Sequence, residues 1–196
     1  METEAENTDS LDRDDMARLA AGHDAALNDL MGRHAPRLFN YLLRQLRNEG
    51  DAEDAAQETF VRVFQHRDKF DPHHRFATWL YTIATNLARD RQRHRARHPA
   101  VSLETENEET GGELQDRVAS PLPGPGDQME AAERAETVRR AVAQLPDDLR
   151  EPLILAEYEE LSHLEIGEIL GCSAKAVEMR VYRARQQLRA QLAKLL

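Results

Sequence analysis

Residues 99–128 read PAVSLETENEETGGELQDRVASPLPGPGDQ, and no regular element is expected to run through them. Proline, glycine, serine and acids crowd together with no apolar side chain recurring at helical or strand spacing, the signature of a flexible linker. A chain of 196 residues cut at that point leaves two small halves. Aromatic residues make up only 5% and charged residues 32%, which suits small helical domains better than one thick core. Ala, Leu, Arg and Glu are the commonest residues and are good helix formers, while the alternation of Val, Ile and Thr that a sheet needs is scarce. The expected architecture is all-α, two small helical domains joined by a flexible acidic linker. The expected boundaries are an acidic disordered tail at 1–13, a first domain at 14–98, the linker at 99–128 and a second domain at 129–196.

The formal net charge of -10 argues against nucleic-acid binding only if it is spread evenly, and it is not. Residues 1–15 carry -6 and residues 102–136 carry -8, so the rest of the chain is +4. Within that remainder, Arg89–His98 (RDRQRHRARH) and the stretch from Lys175 to Lys194 are plainly basic. Local basic faces, not the total, decide phosphate binding. The acidic start lacks the basic end and apolar stretch of a secretory signal, and nowhere do enough apolar residues run together to span a bilayer. The one cysteine, Cys172, cannot form an internal disulfide. A cytoplasmic protein is expected.

In the first domain, Leu27, Leu30 and Met31 begin an apolar stripe that resumes at Leu38, Tyr41, Leu42 and Leu46. Pro36 lies between the two runs and predicts a break or kink, with a second helical piece starting near it. Asp51 is the expected cap of a helix DAEDAAQETFVRVFQ, whose apolar face is Ala52, Ala56, Phe60, Val63 and Phe64. After the loop RDKFDPHHR, residues Phe76, Trp79, Leu80, Ile83 and Leu87 trace one face of a long helix that turns basic beyond Leu87.

The second domain is more sharply punctuated. Leu145-Pro146-Asp147 ends one helix and starts the next. Ser162 with Glu165 three residues on forms a capping box. The short helix HLEIGEIL stops at Gly171, and Ser173 caps the final helix AKAVEMRVYRARQQLRAQLAKL. Short helix, glycine turn and second helix are helix-turn-helix spacing, the glycine permitting a backbone conformation that bulkier residues resist. Lys175, Arg180, Arg183 and Arg185 on the second helix suit phosphates and guanine edges. A helical hairpin with a solvated basic face is the plainer alternative.

These blocks resemble a known family. The stretch LPDDLREPLILAEYEELSHLEIGEILGCSAKAVEMRVYRARQQL is similar to the fourth conserved region of extracytoplasmic-function sigma factors. DAEDAAQETFVRVF resembles their second region, and FATWLYTIATNLARDRQR the part of it that faces the promoter −10 element. A repressor shares the helix-turn-helix alone, whereas two blocks in family order are specific. The resemblance implies that Asp54, Gln57 and Glu58 grip the clamp helices of the largest subunit of RNA polymerase. It implies that Trp79 and Asn86 melt and read the −10 element, with Arg89, Arg91 and Arg93 on phosphates and the loop from Arg67 to Arg75 receiving a flipped base. On the −35 element the expected residues are Lys175, Arg180, Tyr182 and Arg183, together with Glu178, which stands where some members of the family carry a basic DNA-contacting residue. It also implies three partners: core RNA polymerase, promoter DNA and an anti-sigma factor.

Each residue has a plainer alternative. Asp54, Gln57 and Glu58 can be a solvated face near a helix N-terminus, Trp79 can be core, the arginines can complement the helix dipole, and Glu178 can pair with Lys175 three residues back. His66 with His73 and His74, or His94 with His98, lacks the carboxylate or cysteine framework of a zinc site. No nucleophile–base pair or phosphate-binding glycine loop stands out, so neither a catalytic site nor a cofactor is expected. A dimeric duplex-DNA regulator remains the second reading, although it leaves DAEDAAQETF without a role.

Overall fold

The computed structural model describes residues 4–98 and 125–193. Every regular element in them is helical. The expected linker lies outside the described residues as far as residue 124; from Pro125 onward the chain is already helix, so the second domain starts earlier than 129. Proline fits there because the first turn of a helix has no partner for the missing N–H.

The first domain is built from α1 (Glu4–Ala20), α2 (Ala26–Leu46), α3 (Glu49–Gln65), a short 3-10 turn (Arg67–Lys69) and α4 (Phe76–Arg97). Residues 4–13, expected in a disordered tail, are helix instead. Met16 and Leu19 of α1 are buried in the core. Asp12 accepts from Arg33 at 2.9 Å and lies 2.8 Å from His34, while Asp15 accepts a second Arg33 bond at 2.5 Å. These two acids, both buried, tie α1 to α2, so the acidic start of the sequence, Asp12 of the expected tail included, is part of the packing.

Pro36 does not divide α2, which runs through it as one helix. Proline removes one backbone bond there. The flanks hold the helix together, with Leu30 on one side and Leu38, Tyr41 and Leu42 on the other all fully buried. The cap of α3 is Asn48, whose side chain accepts from the Asp51 N–H at 2.8 Å. Asp51, the expected cap, sits in the first turn and pairs with Arg95 of α4 at 3.0 Å.

The second domain holds α5 (Pro125–Ala143), α6 (Asp147–Glu157), α7 (His163–Leu170) and α8 (Ala174–Leu192). The capping box at Ser162 and Glu165 is formed, Ser173 caps α8 through the Ala176 N–H, and Gly171 takes the left-handed conformation with φ 68. Gly167 matters for a different reason. A Cβ there would stand 2.6 Å from the Cys172 carbonyl oxygen, so only glycine lets the turn fold back on α7. Gly167→Ala should therefore destabilise the chain by about 1–3 kcal/mol through overpacking, read as a lower denaturant midpoint at unchanged slope.

The two domains touch. α4 packs on α7 and α2 on α6, and a continuous apolar cluster runs from Met16 and Phe76 through to Ile154, Ile166 and Val181.

Candidate nucleic-acid and partner interfaces

Helix α3 buries Ala52, Ala55, Thr59, Phe60 and Val63, close to the apolar face expected for it. That burial turns the opposite face outward. Asp54, Gln57 and Val61 are exposed there, and Glu58 is half-buried because it accepts from Arg62 one turn on, at 2.8 Å. The result is a strip of acceptors interrupted by one apolar side chain, a surface that suits a basic protein partner.

Helix α4 is buried on more than one side. Phe76, Leu80 and Leu87 lie in the core as expected, and so do Tyr81, Ala84 and Thr85. The Tyr41 hydroxyl lies 2.6 Å from the Thr85 hydroxyl, sealing a polar contact between α2 and α4. Trp79 is half-buried in an aromatic group with Phe70 and Phe76, at ring-centroid distances of 5.4 and 6.3 Å. Asn86 is exposed between buried neighbours. The three arginines beyond it are not equivalent. Arg89 holds the Glu151 carboxylate through two bonds of 2.6 and 3.1 Å. Arg91 donates to the Asp51 carbonyl at 2.7 Å and lies 3.9 Å from Asp54. Arg93 is exposed and pairs with Asp90 at 3.0 Å. Arg91 thus ties α4 to the start of α3, while Arg93 faces outward.

Glu151 belongs to the second domain, and its pair with Arg89 is one of several across the contact. Arg75 donates to Glu165 at 2.8 Å, and Arg37 donates to the Tyr158 carbonyl at 3.1 Å. The Arg44 guanidinium stacks 4.0 Å over the Tyr158 ring, a cation–π contact. The Tyr81 hydroxyl donates to the buried Glu159 carboxylate. Burial pushes the Glu159 carboxyl up, against the pull of Tyr81, Arg37 and Arg44. Burial also pushes Glu165 up, but bonds from the Ser162 hydroxyl and N–H and from Arg75 outweigh it and hold that carboxyl below the usual range. Sequence reading missed Tyr81, Thr85, Glu151 and Glu159, since no spacing rule links residues so far apart in the chain.

On α8, Val177, Val181 and Ala184 face the core, which leaves Lys175, Glu178, Tyr182 and Arg183 exposed. Arg183 has no ion-pair partner among the described residues, whereas Arg180 is half-buried with its guanidinium 3.6 Å from the Cys172 sulfur. Lys175 pairs with both Glu178 oxygens at 2.9 and 3.0 Å, and that pairing holds the Glu178 carboxyl below its usual range. Arg185, grouped with the DNA-facing cations by spacing, pairs with Glu157 at 2.5 Å.

Comparison with known proteins gives two family matches, Sigma-70 region 2 over residues 30–98 and Sigma-70, region 4 over residues 135–188. Similar relatives include the ECF RNA polymerase sigma factor SigW of Bacillus subtilis, 36% identical over 87% of this chain and 91% of that protein. The RNA polymerase sigma factor CarQ of Myxococcus xanthus is 37% identical over 92% of this chain and 97% of its own length. Among solved structures, CnrH in complex with the cytosolic domain of CnrY aligns with a TM-score of 0.66 at 29% identity, covering 94% of this chain and 98% of that one. The sigma factor RpoE of Bartonella quintana, in complex with the anti-sigma factor NepR, shares the fold with a TM-score of 0.65 at 23% identity over 85% of this chain and 96% of that one.

Proposed function

This chain belongs to the extracytoplasmic-function class of RNA polymerase sigma factors, and we propose that it works as a non-catalytic initiation subunit in the cytoplasm. It binds core RNA polymerase and directs it to promoters. In our reading the α3 strip of Asp54, Gln57 and Glu58 docks on the polymerase clamp. Asn86, the exposed edge of Trp79 and the cations Arg89, Arg91 and Arg93 take the −10 strand as it opens. Helix α8 enters the −35 major groove with Lys175, Glu178, Arg180, Tyr182 and Arg183. An anti-sigma protein is the expected inhibitor, as the partner named for the solved RpoE suggests.

The observation that carries this reading is the pairing, in one chain, of an outward acceptor strip on α3 with an outward cationic face on α8. A regulator acting on duplex DNA alone needs only the second. The test is assembly with core polymerase, followed by gel shift on promoter and non-promoter fragments. Polymerase should become promoter-selective only when the chain is present, and a chain that binds duplex DNA but not polymerase would overturn the reading.

Glu178 tests the −35 assignment. A glutamate in the groove can accept from cytosine N4, and the exposed pair with Lys175 is weak enough to open for it. Glu178→Ala should relax base preference at one or two −35 positions by about tenfold, while Arg183→Ala weakens binding evenly across sequences. Selection from a −35 library reads both. An unchanged base profile for Glu178→Ala would assign that side chain to Lys175 alone.

A further inference from the structure

Helix α1 lies outside both family matches, yet it packs on α2, on α4 and on the 3-10 turn that opens the loop from Arg67 to Arg75. Under the reading above, on which this inference rests, that loop and the edge of Trp79 meet the −10 strand. Two contacts join α1 to this face. Asp9 lies 3.9 Å from Arg75, the last residue of the loop. The other contact passes through α2. His34 Nε2 lies 2.8 Å from an Asp12 oxygen, and its ring stands 5.1 Å from the Phe76 ring, tilted by 59°. Phe76 packs in turn on Trp79 at 6.3 Å and on Phe70 at 6.1 Å, and Phe70 stands 5.4 Å from Trp79. The imidazole thus backs a run of rings that ends at the half-buried Trp79.

We propose that His34 is a positioning residue for −10 recognition: anchored by Asp12 of α1, its ring sets Phe76 and Phe70, and through them the Trp79 face that the unpaired strand meets. Aromatic pairs hold preferred tilted geometries, and a close-packed interior passes a displacement from one ring to the next. Phe76 is fully buried, so it has no solvent-filled space in which to absorb a shift. His34 is itself largely buried, and its bond to Asp12 keeps the ring from turning away from Phe76. Asp12 also accepts from Arg33 at 2.9 Å, which fixes the carboxylate in turn. Without the imidazole a gap opens behind Phe76, and the surrounding side chains relax into it only in part.

The test uses the full-length chain, alone and bound to core polymerase. Trp79 is the only tryptophan in the sequence, so its emission reports on this face and nothing else. His34→Gln puts an amide where Nε2 stands, which keeps a donor for Asp12 and removes the ring. His34→Tyr restores a ring and carries a hydroxyl at its far end for Asp12. Leu19→Ala removes a fully buried side chain farther along α1 and controls for lost stability. His34→Gln should shift Trp79 emission to longer wavelength and open the ring to acrylamide quenching. In selection from a −10 library, its holoenzyme should lose about tenfold in base discrimination, the scale of one base contact. Binding to a −35 duplex and to core polymerase should not change. His34→Tyr should recover emission and discrimination, and Leu19→Ala should move neither at a temperature where its far-ultraviolet spectrum is native. Wild-type emission and discrimination in folded His34→Gln would overturn the proposal. So would an equal loss in Leu19→Ala, no recovery in folded His34→Tyr, or an emission shift with discrimination unchanged. Failure of the sigma-factor reading would appear elsewhere, as a wild-type chain that gives core polymerase no promoter selectivity.

Discussion

The chain carrying Gln57→Ala and Glu58→Ala is expected to bind core RNA polymerase about 30-fold or more weakly, the loss typical of a central interface contact. Its far-ultraviolet spectrum should not change. Gln57 is exposed, and among the described residues Glu58 pairs with Arg62 on its own helix, a contact between partly exposed groups that adds little to stability. Alanine is also a good helix former. The core side of α3, with Phe60 and Val63 buried, is untouched. The loss therefore reports on docking rather than folding. Titration calorimetry against core enzyme measures it, and unchanged affinity would remove the clamp assignment.

Asn86→Ala should lower promoter opening about 10- to 100-fold, as expected for losing a paired base contact, and leave −35 duplex binding intact. The position separates function from stability cleanly. Asn86 is exposed while Thr85 and Leu87 beside it are buried, so removing its amide leaves the packing of α4 as it is. Permanganate footprinting on a matched promoter reads the bubble. Trp79→Ala is a poorer probe of the same step. Its ring packs on Phe70 and Phe76, and truncating a packed aromatic costs about 3–5 kcal/mol by itself.

Local chemistry was legible in the sequence. The helix-turn-helix, its capping box and the left-handed Gly171 follow from short-range rules, because each depends on residues within a few positions of one another. The α4 stripe was legible for the same reason, although periodicity could not distinguish fully buried Leu80 from half-buried Trp79. Three expectations failed where long-range packing overrides local preference. Asp12 read as tail charge, and Asp15 as the end of an acidic start, until Arg33 and His34 of α2 close over them. Pro36 read as a break until buried side chains on both flanks hold α2 together. Asp51 read as a cap, but Asn48 takes that role and frees Asp51 for Arg95. The arginine run was legible as a basic segment, but its partners in the fold were not. Arg91 bonds the Asp51 carbonyl and Arg89 the Glu151 carboxylate, partners that lie far away in the chain.

Whether this chain confers promoter selectivity is decided by transcription with purified core polymerase on a randomised promoter library, with and without the chain, followed by sequencing of the transcripts and their templates. Start sites are expected that depend on the chain and share two upstream blocks at fixed spacing, one at −35 and one at −10. No transcripts above those of core enzyme alone, or enrichment of palindromic duplex sites without new starts, would contradict sigma-factor function.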